Sequence, residues 1–312
     1  MGMLLFYHII YRHFCGNKNS IYDGKEISTL SIERKGRIIM TRKIKDNVSL
    51  GIKILIGFLY CAPVLMALLF AFHTNDQILT IPLKFIPETP TVENFTYVFE
   101  NVPIFTYLKN TIMMLIIIIP FQVVIGCVTA FAFTFYEFPL KNFLFTLFLT
   151  VMVIPGEVNI IANYMTIQSL GLMDTYAGMT ITSLVNISGM FMLRQHMMTL
   201  PKSLWEAARM DGCSEMRYFV KIVVPLSKSI IAAQVLNSFI WIYNSYLWPL
   251  LVTSTENMRT IQTGIANLVR DMYWNPGGAL AGAIVCMIIP VVIYIIGLDQ
   301  IVSGLTSGAV KD

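Results

Sequence analysis

Six apolar stretches, near residues 52–72, 111–135, 142–162, 176–197, 228–252 and 279–301, alternate along the chain with polar segments. Each is about 20 residues long, which as a helix crosses a hydrocarbon core of roughly 30 Å. The pattern predicts an all-α integral membrane protein with six transmembrane helices. The fourth stretch is the least apolar, with Asn186 among several Thr and Ser, so it is expected to face protein instead of lipid. Pro63, Pro120, Pro155 and Pro290 fall inside stretches, where neighbouring helices can cover the loosened backbone.

Between the fourth and fifth stretches lies a polar island, residues 203–225. It reads as two short helices joined by a sharp corner. Ser203 and Glu206 have the spacing of a capping box, 204–211 is rich in helix formers, and Gly212 stands where a left-handed C-terminal cap is wanted. Ser214 is placed to cap a second helix, with Met216, Phe219, Val220 and Val223 on one face. Pro225 marks a bend into the fifth stretch.

Composition supports the membrane class. Apolar residues make up 56% of the 312 and charged residues 13%, and mean hydropathy is +0.67, too little polar surface for a soluble protein of this length. The five cysteines are scattered without C-x-x-C spacing and read as packing residues. The net charge of +4 is unevenly spread and suits a membrane topology, with no nucleic-acid partner. With the N-terminus inside, the inner segments hold 18 Lys and Arg and the outer segments 4, which places the polar island in the cytoplasm. The expected layout is a cytoplasmic N-terminal segment 1–50, a permease domain 51–305 whose cytoplasmic loop spans 199–226, and a cytoplasmic tail 306–312. Met1 to Tyr11 is too short to span and lacks a cleavage site, and 1–39 reads as a dispensable extension, with a membrane-surface anchor as the other reading. The outer segment 74–108, with four prolines, is too polar to cross and is expected across the outer mouth.

No catalytic constellation is visible. The only Gly-Lys pair, Gly24-Lys25, is followed by Glu26, so no P-loop exists and this chain is expected to bind neither ATP nor Mg²⁺ itself. The spans carry almost no ionisable groups, which weighs against a stand-alone ion-coupled carrier or channel. Along the fifth stretch Gln234, Asn237, Trp241, Asn244 and Trp248 recur at spacings of 3 and 4, forming one helical stripe. Amides that bond hydroxyls and indoles that stack on sugar rings suit a carbohydrate path; polar contact between helices is the other reading. Glu157, with Asn159 and Asn163, follows Pro155 toward the outer end of the third stretch, either beside a substrate vestibule or simply solvated.

Glu206-Ala207-Ala208, three residues, Gly212, nine residues, Ile222, one residue and Val224-Pro225 resembles the E-A-A-x3-G-x9-I-x-L-P loop of ATP-binding-cassette (ABC) importer permeases, with Val224 for Leu. Residues 244–250 are similar to the W-N-x-F-L-W-P-L stretch of sugar-importer permeases, with Tyr243 for the first Trp; Leu193-Arg194-Gln195 and 304–311 match further pieces. Together these resemble the smaller six-span subunit of the maltose-type carbohydrate importers over roughly residues 45–312. The resemblance implies that 203–212 is a coupling helix seated in a cleft of a separate ATPase. Glu206 would make the polar contact, Ala207 and Ala208 would permit close approach, and Gly212 would set the turn. Ser203 and Asp211 would bound the docking segment, with Ile222 and Pro225 completing the motif. Trp205 and Met210 are either apolar docking contacts or packing on the second short helix. The implied partners are a second homologous permease subunit, an ABC ATPase dimer holding ATP and Mg²⁺, and an extracellular or lipid-anchored solute-binding protein, around a sugar or oligosaccharide, in a bacterial plasma membrane. Permeases for glycerol phosphate, amino acids or peptides are the rivals within the class.

Overall fold

A computed structural model describes residues 29–82, 84–270 and 275–306, with side chains over 46–82, 84–268 and 275–297. Every regular element among them is helical. Residues 1–28 of the expected extension and 307–312 of the tail lie outside the described residues. The chain divides into two compact units, residues 1–91 and 92–312.

In the first unit, α1 (Thr29–Ala71) carries the first span, Asp46–Ala71, and keeps Pro63 within it. A short α2 (Asn75–Leu79) follows. His73, between the two, is buried, with Nδ1 3.0 Å from the Leu69 carbonyl oxygen and Nε2 3.0 Å from that of Lys84. It thus ties the helix end to the segment around Lys84. At the surface Lys84 pairs with Glu88 and holds that carboxyl below its usual range.

The second unit runs through α3 (Glu93–Asn101), α4 (Ile104–Phe135), α5 (Lys141–Val153), α6 (Ile160–Ser169), α7 (Tyr176–Thr180), α8 (Ile187–Met197), α9 (Lys202–Met210), α10 (Glu215–Tyr218), α11 (Val224–Leu226), α12 (Lys228–Tyr243), α13 (Leu247–Val252), α14 (Ile261–Arg270) and α15 (Pro276–Thr306). Helix α4 is the axis: its buried positions Tyr107, Thr111, Met114, Ile118, Gln122 and Gly126 recur every three or four residues. It packs against α8, α12 and α14, and α15 lies along α12. Pro120 and Pro290 stay inside unbroken helices.

Among the described residues three single helices are long and apolar enough to cross a membrane, and with each of three bent pairs taken as one span the number reaches six. This matches the predicted count but corrects the continuity of three spans. The third turns by 87° between Val153 and Gly156, where Pro155 cannot supply the backbone donor a continuing helix needs. The fourth bends by 43° between Ser183 and Ile187. The fifth has its long helix from Lys228, as predicted, to Tyr243 instead of 252, and the short helices from Glu215 to Leu226 meet it at a 73° bend. Span two begins at Ile104, not 111.

Two apolar clusters occupy the ends of this bundle. One, near the polar island, gathers Cys127, Phe131, Leu193, Met197, Ala208, Tyr218, Phe219 and Val223. The other gathers Met114, Ile118, Ile167, Met179, Ile242 and Val252. Gln122 falls on α4 between them.

Candidate functional site: a docking corner and a cavity of broken helices

The polar island folds into the expected corner. Helix α9 ends in a Schellman motif: the Gly212 N–H donates to the Arg209 carbonyl (3.1 Å) and the Cys213 N–H to that of Ala208 (2.9 Å). Gly212 has φ +69° with open space around its Cβ direction, so only the backbone conformation demands glycine there. Ser214 caps α10 by accepting from the Arg217 N–H at 3.4 Å. The capping box is not formed. Helix α9 begins at Lys202 behind Pro201, so Ser203 lies inside the first turn and makes no cap bond.

The second helix also departs from the expected face. Its five residues Phe219–Val223 form a π-helical turn, which widens the register. Tyr218, Phe219 and Val223 are buried and Ile222 is half-buried, while Met216 and Val220 face out. Pro225 lies in α11, ahead of the bend at Ser227.

The corner is fixed by an aromatic cluster. The Trp205 ring meets Tyr218 at 4.7 Å and Phe135 at 5.8 Å between centroids, and the Arg209 guanidinium lies over it at 5.8 Å. Trp205 is therefore packing on the second short helix and the end of α4. Tyr136 donates its hydroxyl to the Glu215 carboxylate, which pushes the phenol above its usual range. Nearby, Arg194 of α8 stacks over Phe145 at 3.9 Å and donates Nε–H to the Phe133 carbonyl, tying α8 to α5 and α4.

The motif's two alanines separate. Ala208 is buried in the cluster, whereas Ala207 is exposed with Ser203, Glu206 and Met210. These four sit at i, i+3, i+4 and i+7, one outward face of α9. Met210 is its tip, at 87% exposure. Asp211 is the exposed C-cap.

A second feature is a cavity of about 550 Å³ lined by Glu157, Asn163, Ser183, Trp241, Asn244 and Trp248, with Gly156, Thr182 and Tyr246. Its walls are helix ends: the break after α5, the break between Ser183 and Ile187, and the interruption 244–246 between α12 and α13. Interrupted helices expose backbone groups and side chains that a continuous span would turn inward. The predicted stripe is thus not one helix; Trp248 comes from α13, yet still reaches the same cavity. Trp241 is 60% exposed. Asn244, the C-cap of α12, gives Nδ2–H to the Ile240 carbonyl at 2.7 Å. Asn159 and Asn237 are exposed but do not line the cavity.

Gln234 is 1% exposed and lies between α4 and α8, where a Cβ on Gly126 would stand 3.3 Å from its Nε2 and one on Gly189 would collide with it. It is interhelical contact, not path. Sequence reading missed Gln122, Ser183 and Ser238: Gln122 donates Nε2–H to the Ser183 carbonyl (2.7 Å) and accepts from the Ser238 hydroxyl (2.7 Å). A lone amide in the second apolar run was their only signal. Away from the corner, Asp174 accepts from the Ser254 and Thr255 N–H groups at 2.9 and 3.1 Å; desolvation opposes its charge, but these bonds prevail and hold its carboxyl below the usual range.

Residues 122–305 match the family described as "Binding-protein-dependent transport system inner membrane component". Over 265 residues the chain is 32% identical to the sn-glycerol-3-phosphate transport system permease protein UgpE of Yersinia pestis bv. Antiqua, covering 81% of this chain and 94% of the relative. Over 277 residues it is 31% identical to the arabinooligosaccharides transport system permease protein AraQ of Halalkalibacterium halodurans, covering 86% and 99%. Its fold resembles a chain in the crystal structure of a bacterial ABC transporter involved in import of the acidic polysaccharide alginate, with TM-score 0.70, 20% identity, and coverage of 90% and 99%.

Proposed function

The chain belongs to the family of inner-membrane components of binding-protein-dependent transport systems, and from that premise we propose that its broken-helix cavity carries a sugar, oligosaccharide or sugar-like polyol phosphate. It is a permease subunit, a transport protein and not an enzyme. The observation that carries the solute reading is the cavity lining: two indoles, a phenol, two amides, hydroxyls and the Glu157 carboxylate gathered at helix breaks. Such a surface stacks on the apolar face of a pyranose or furanose ring and bonds its hydroxyls. The relatives' named solutes, glycerol phosphate and arabino-oligosaccharides, fall in the same range.

ATP and Mg²⁺ belong to a separate ABC ATPase dimer. The exposed face Ser203–Glu206–Ala207–Met210 is the surface that docks it, in the cytoplasm with the N-terminus, as the excess of inner Lys and Arg supports. Ala207 lets the ATPase approach the helix closely, Glu206 supplies a polar contact, and Met210 offers an adaptable apolar tip. Trp205, Ala208, Ile222 and Gly212 hold that face in place from behind. The pathway is completed by a second homologous permease subunit, and a solute-binding protein outside the bacterial plasma membrane delivers the solute.

A pull-down of the detergent-solubilised protein tests this, wild type against the double variant Glu206→Ala with Gly212→Leu, with partners identified by mass spectrometry. An ATPase and a second permease should accompany the wild type, and the ATPase should be absent with the variant. A wild type recovered alone under gentle conditions contradicts the reading.

A further inference from the structure

We propose that Gln122 is the positioning residue of the solute cavity, holding two of its broken walls at a fixed spacing without touching the solute. The inference rests on the cavity being the solute path. Gln122 is 3% exposed and does not line the cavity. Both ends of its amide are used, the donor on the Ser183 carbonyl and the acceptor on the Ser238 hydroxyl, each at 2.7 Å. Ser183 and its neighbour Thr182 form one wall. Ser238 lies one turn before Trp241, which with Ile240 and Asn244 forms another.

The Ser183 carbonyl needs such a partner because its helix stops there. The 3₁₀ turn Ile181–Ser183 ends, and α8 restarts only at Ile187. A carbonyl that would be paired four residues on in a continuous helix is left to be satisfied from outside. Asn186 fixes the restart by accepting from the Gly189 N–H at 2.9 Å, and its Nδ2 lies 3.5 Å from the same Ser238 hydroxyl. Four side-chain or backbone groups from α4, the fourth span and α12 thus close on one point.

The neighbouring layer sharpens the assignment. One turn along each helix stand Gly126, Gly189 and Gln234, in place of Gln122, Asn186 and Ser238. There Gln234 fills the gap by packing, and neither of its amide atoms has a hydrogen-bond partner among the described residues. Close helix approach alone is achieved without any bonded amide. Of these two layers, the one with the bonded amide is the one at the level of the break, where a wall of the cavity hangs from it.

The test uses the assembled complex carrying Thr182→Cys, with the native cysteines replaced by alanine, and reads the labelling rate of the introduced thiol by a charged methanethiosulfonate reagent. Gln122→Leu should change that rate at least threefold, while a thiol introduced instead by Glu100→Cys on the exposed face of α3, away from both the cavity and the docking face, labels unchanged. In uptake with arabinotriose and sn-glycerol 3-phosphate as probes, Gln122→Leu should raise the half-saturating concentration about tenfold, keep the ATPase bound, and lower the maximal rate little. Ser238→Ala should move both readouts the same way by less, and the double variant should be no worse than Gln122→Leu alone. If Gln122→Leu fails to insert, the shift with Ser238→Ala decides. An unchanged labelling rate in the Thr182→Cys background, or single-variant effects that simply add, overturns the proposal. The labelling needs no solute, so a wild type that takes up neither probe faults the solute reading while the role of Gln122 is still decided.

Discussion

The docking corner and the solute cavity are built by opposite means. The corner is made from consecutive residues: one helix, one left-handed glycine, one capped second helix, all within 202–226 and pinned by Trp205 on Tyr218 and Phe135. The cavity is made from three segments far apart in sequence, each interrupted where it reaches the others. A local feature can be rigid by its own caps and turns, and can present a face outward for a partner. A non-local feature needs a cross-brace, and Gln122 supplies it. Docking and solute handling in this chain can therefore be disturbed separately.

The largest expected effect breaks the corner. Gly212→Leu places a branched side chain at φ +69°, at a cost of roughly 1–2 kcal/mol in that conformation. Because the Schellman bonds orient all of α9, ATPase stimulation should be abolished, measured as hydrolysis by the reconstituted complex, while cavity labelling at Thr182→Cys stays normal.

The two alanines provide a finer cut. Ala208→Leu forces extra volume into the buried cluster and should destabilise the protein by about 1–3 kcal/mol, seen as a lowered thermal midpoint in detergent. Ala207→Leu points outward and should leave that midpoint within about 0.5 kcal/mol of wild type, yet reduce ATPase recovery. Equal thermal shifts in the two variants would contradict the division of the motif into a packed and a presented alanine.

On the cavity side, Trp248→Ala should weaken uptake about tenfold without loosening the ATPase, since it removes an indole from the lining while its packing near Ile242 and Val252 is peripheral. Unchanged uptake would return Trp248 to a packing role.

The smallest effect is electrostatic. The Tyr136 phenol is raised above its ordinary 10.0 by donating to Glu215. A raised folded value means the contribution is complete below pH 10 and is lost as pH climbs through the folded value. Tyr136→Phe should therefore cost no more than about 1 kcal/mol at neutral pH, and wild type and variant should converge in thermal midpoint in strong alkali. Asp174, with its carboxyl held low, behaves oppositely: its contribution is present above about pH 4 and fades as pH falls through the folded value.

Much of the corner was legible because its determinants are local. Gly212 and Ser214 announce themselves by residue type and position, and the structure places both as expected. Ser203 misled because Pro201 starts the helix two residues earlier, with its fixed φ suited to a helix entry. Met216 and Val220 misled because a π-turn does not keep the 3.6-residue period on which the face was drawn. The six spans were legible from apolar length, but their breaks were not. Of the prolines inside apolar stretches, Pro155 breaks a helix and Pro63, Pro120 and Pro290 do not, since the outcome depends on which neighbours cover the freed backbone. Gln122 was invisible for the same reason: its importance lies in a carbonyl 61 residues away.

On this proposal the chain moves its solute only as the membrane part of an ATP-driven assembly. The most direct measurement is uptake of labelled arabino-oligosaccharide and sn-glycerol 3-phosphate into proteoliposomes. It compares the chain alone with the chain joined to its co-purified permease, ATPase and binding protein, with ATP inside or outside the vesicles. Uptake that appears only with the full assembly and ATP on the docking-corner side is the predicted result. Uptake by the chain alone, indifferent to ATP, would contradict the account and make it a stand-alone carrier.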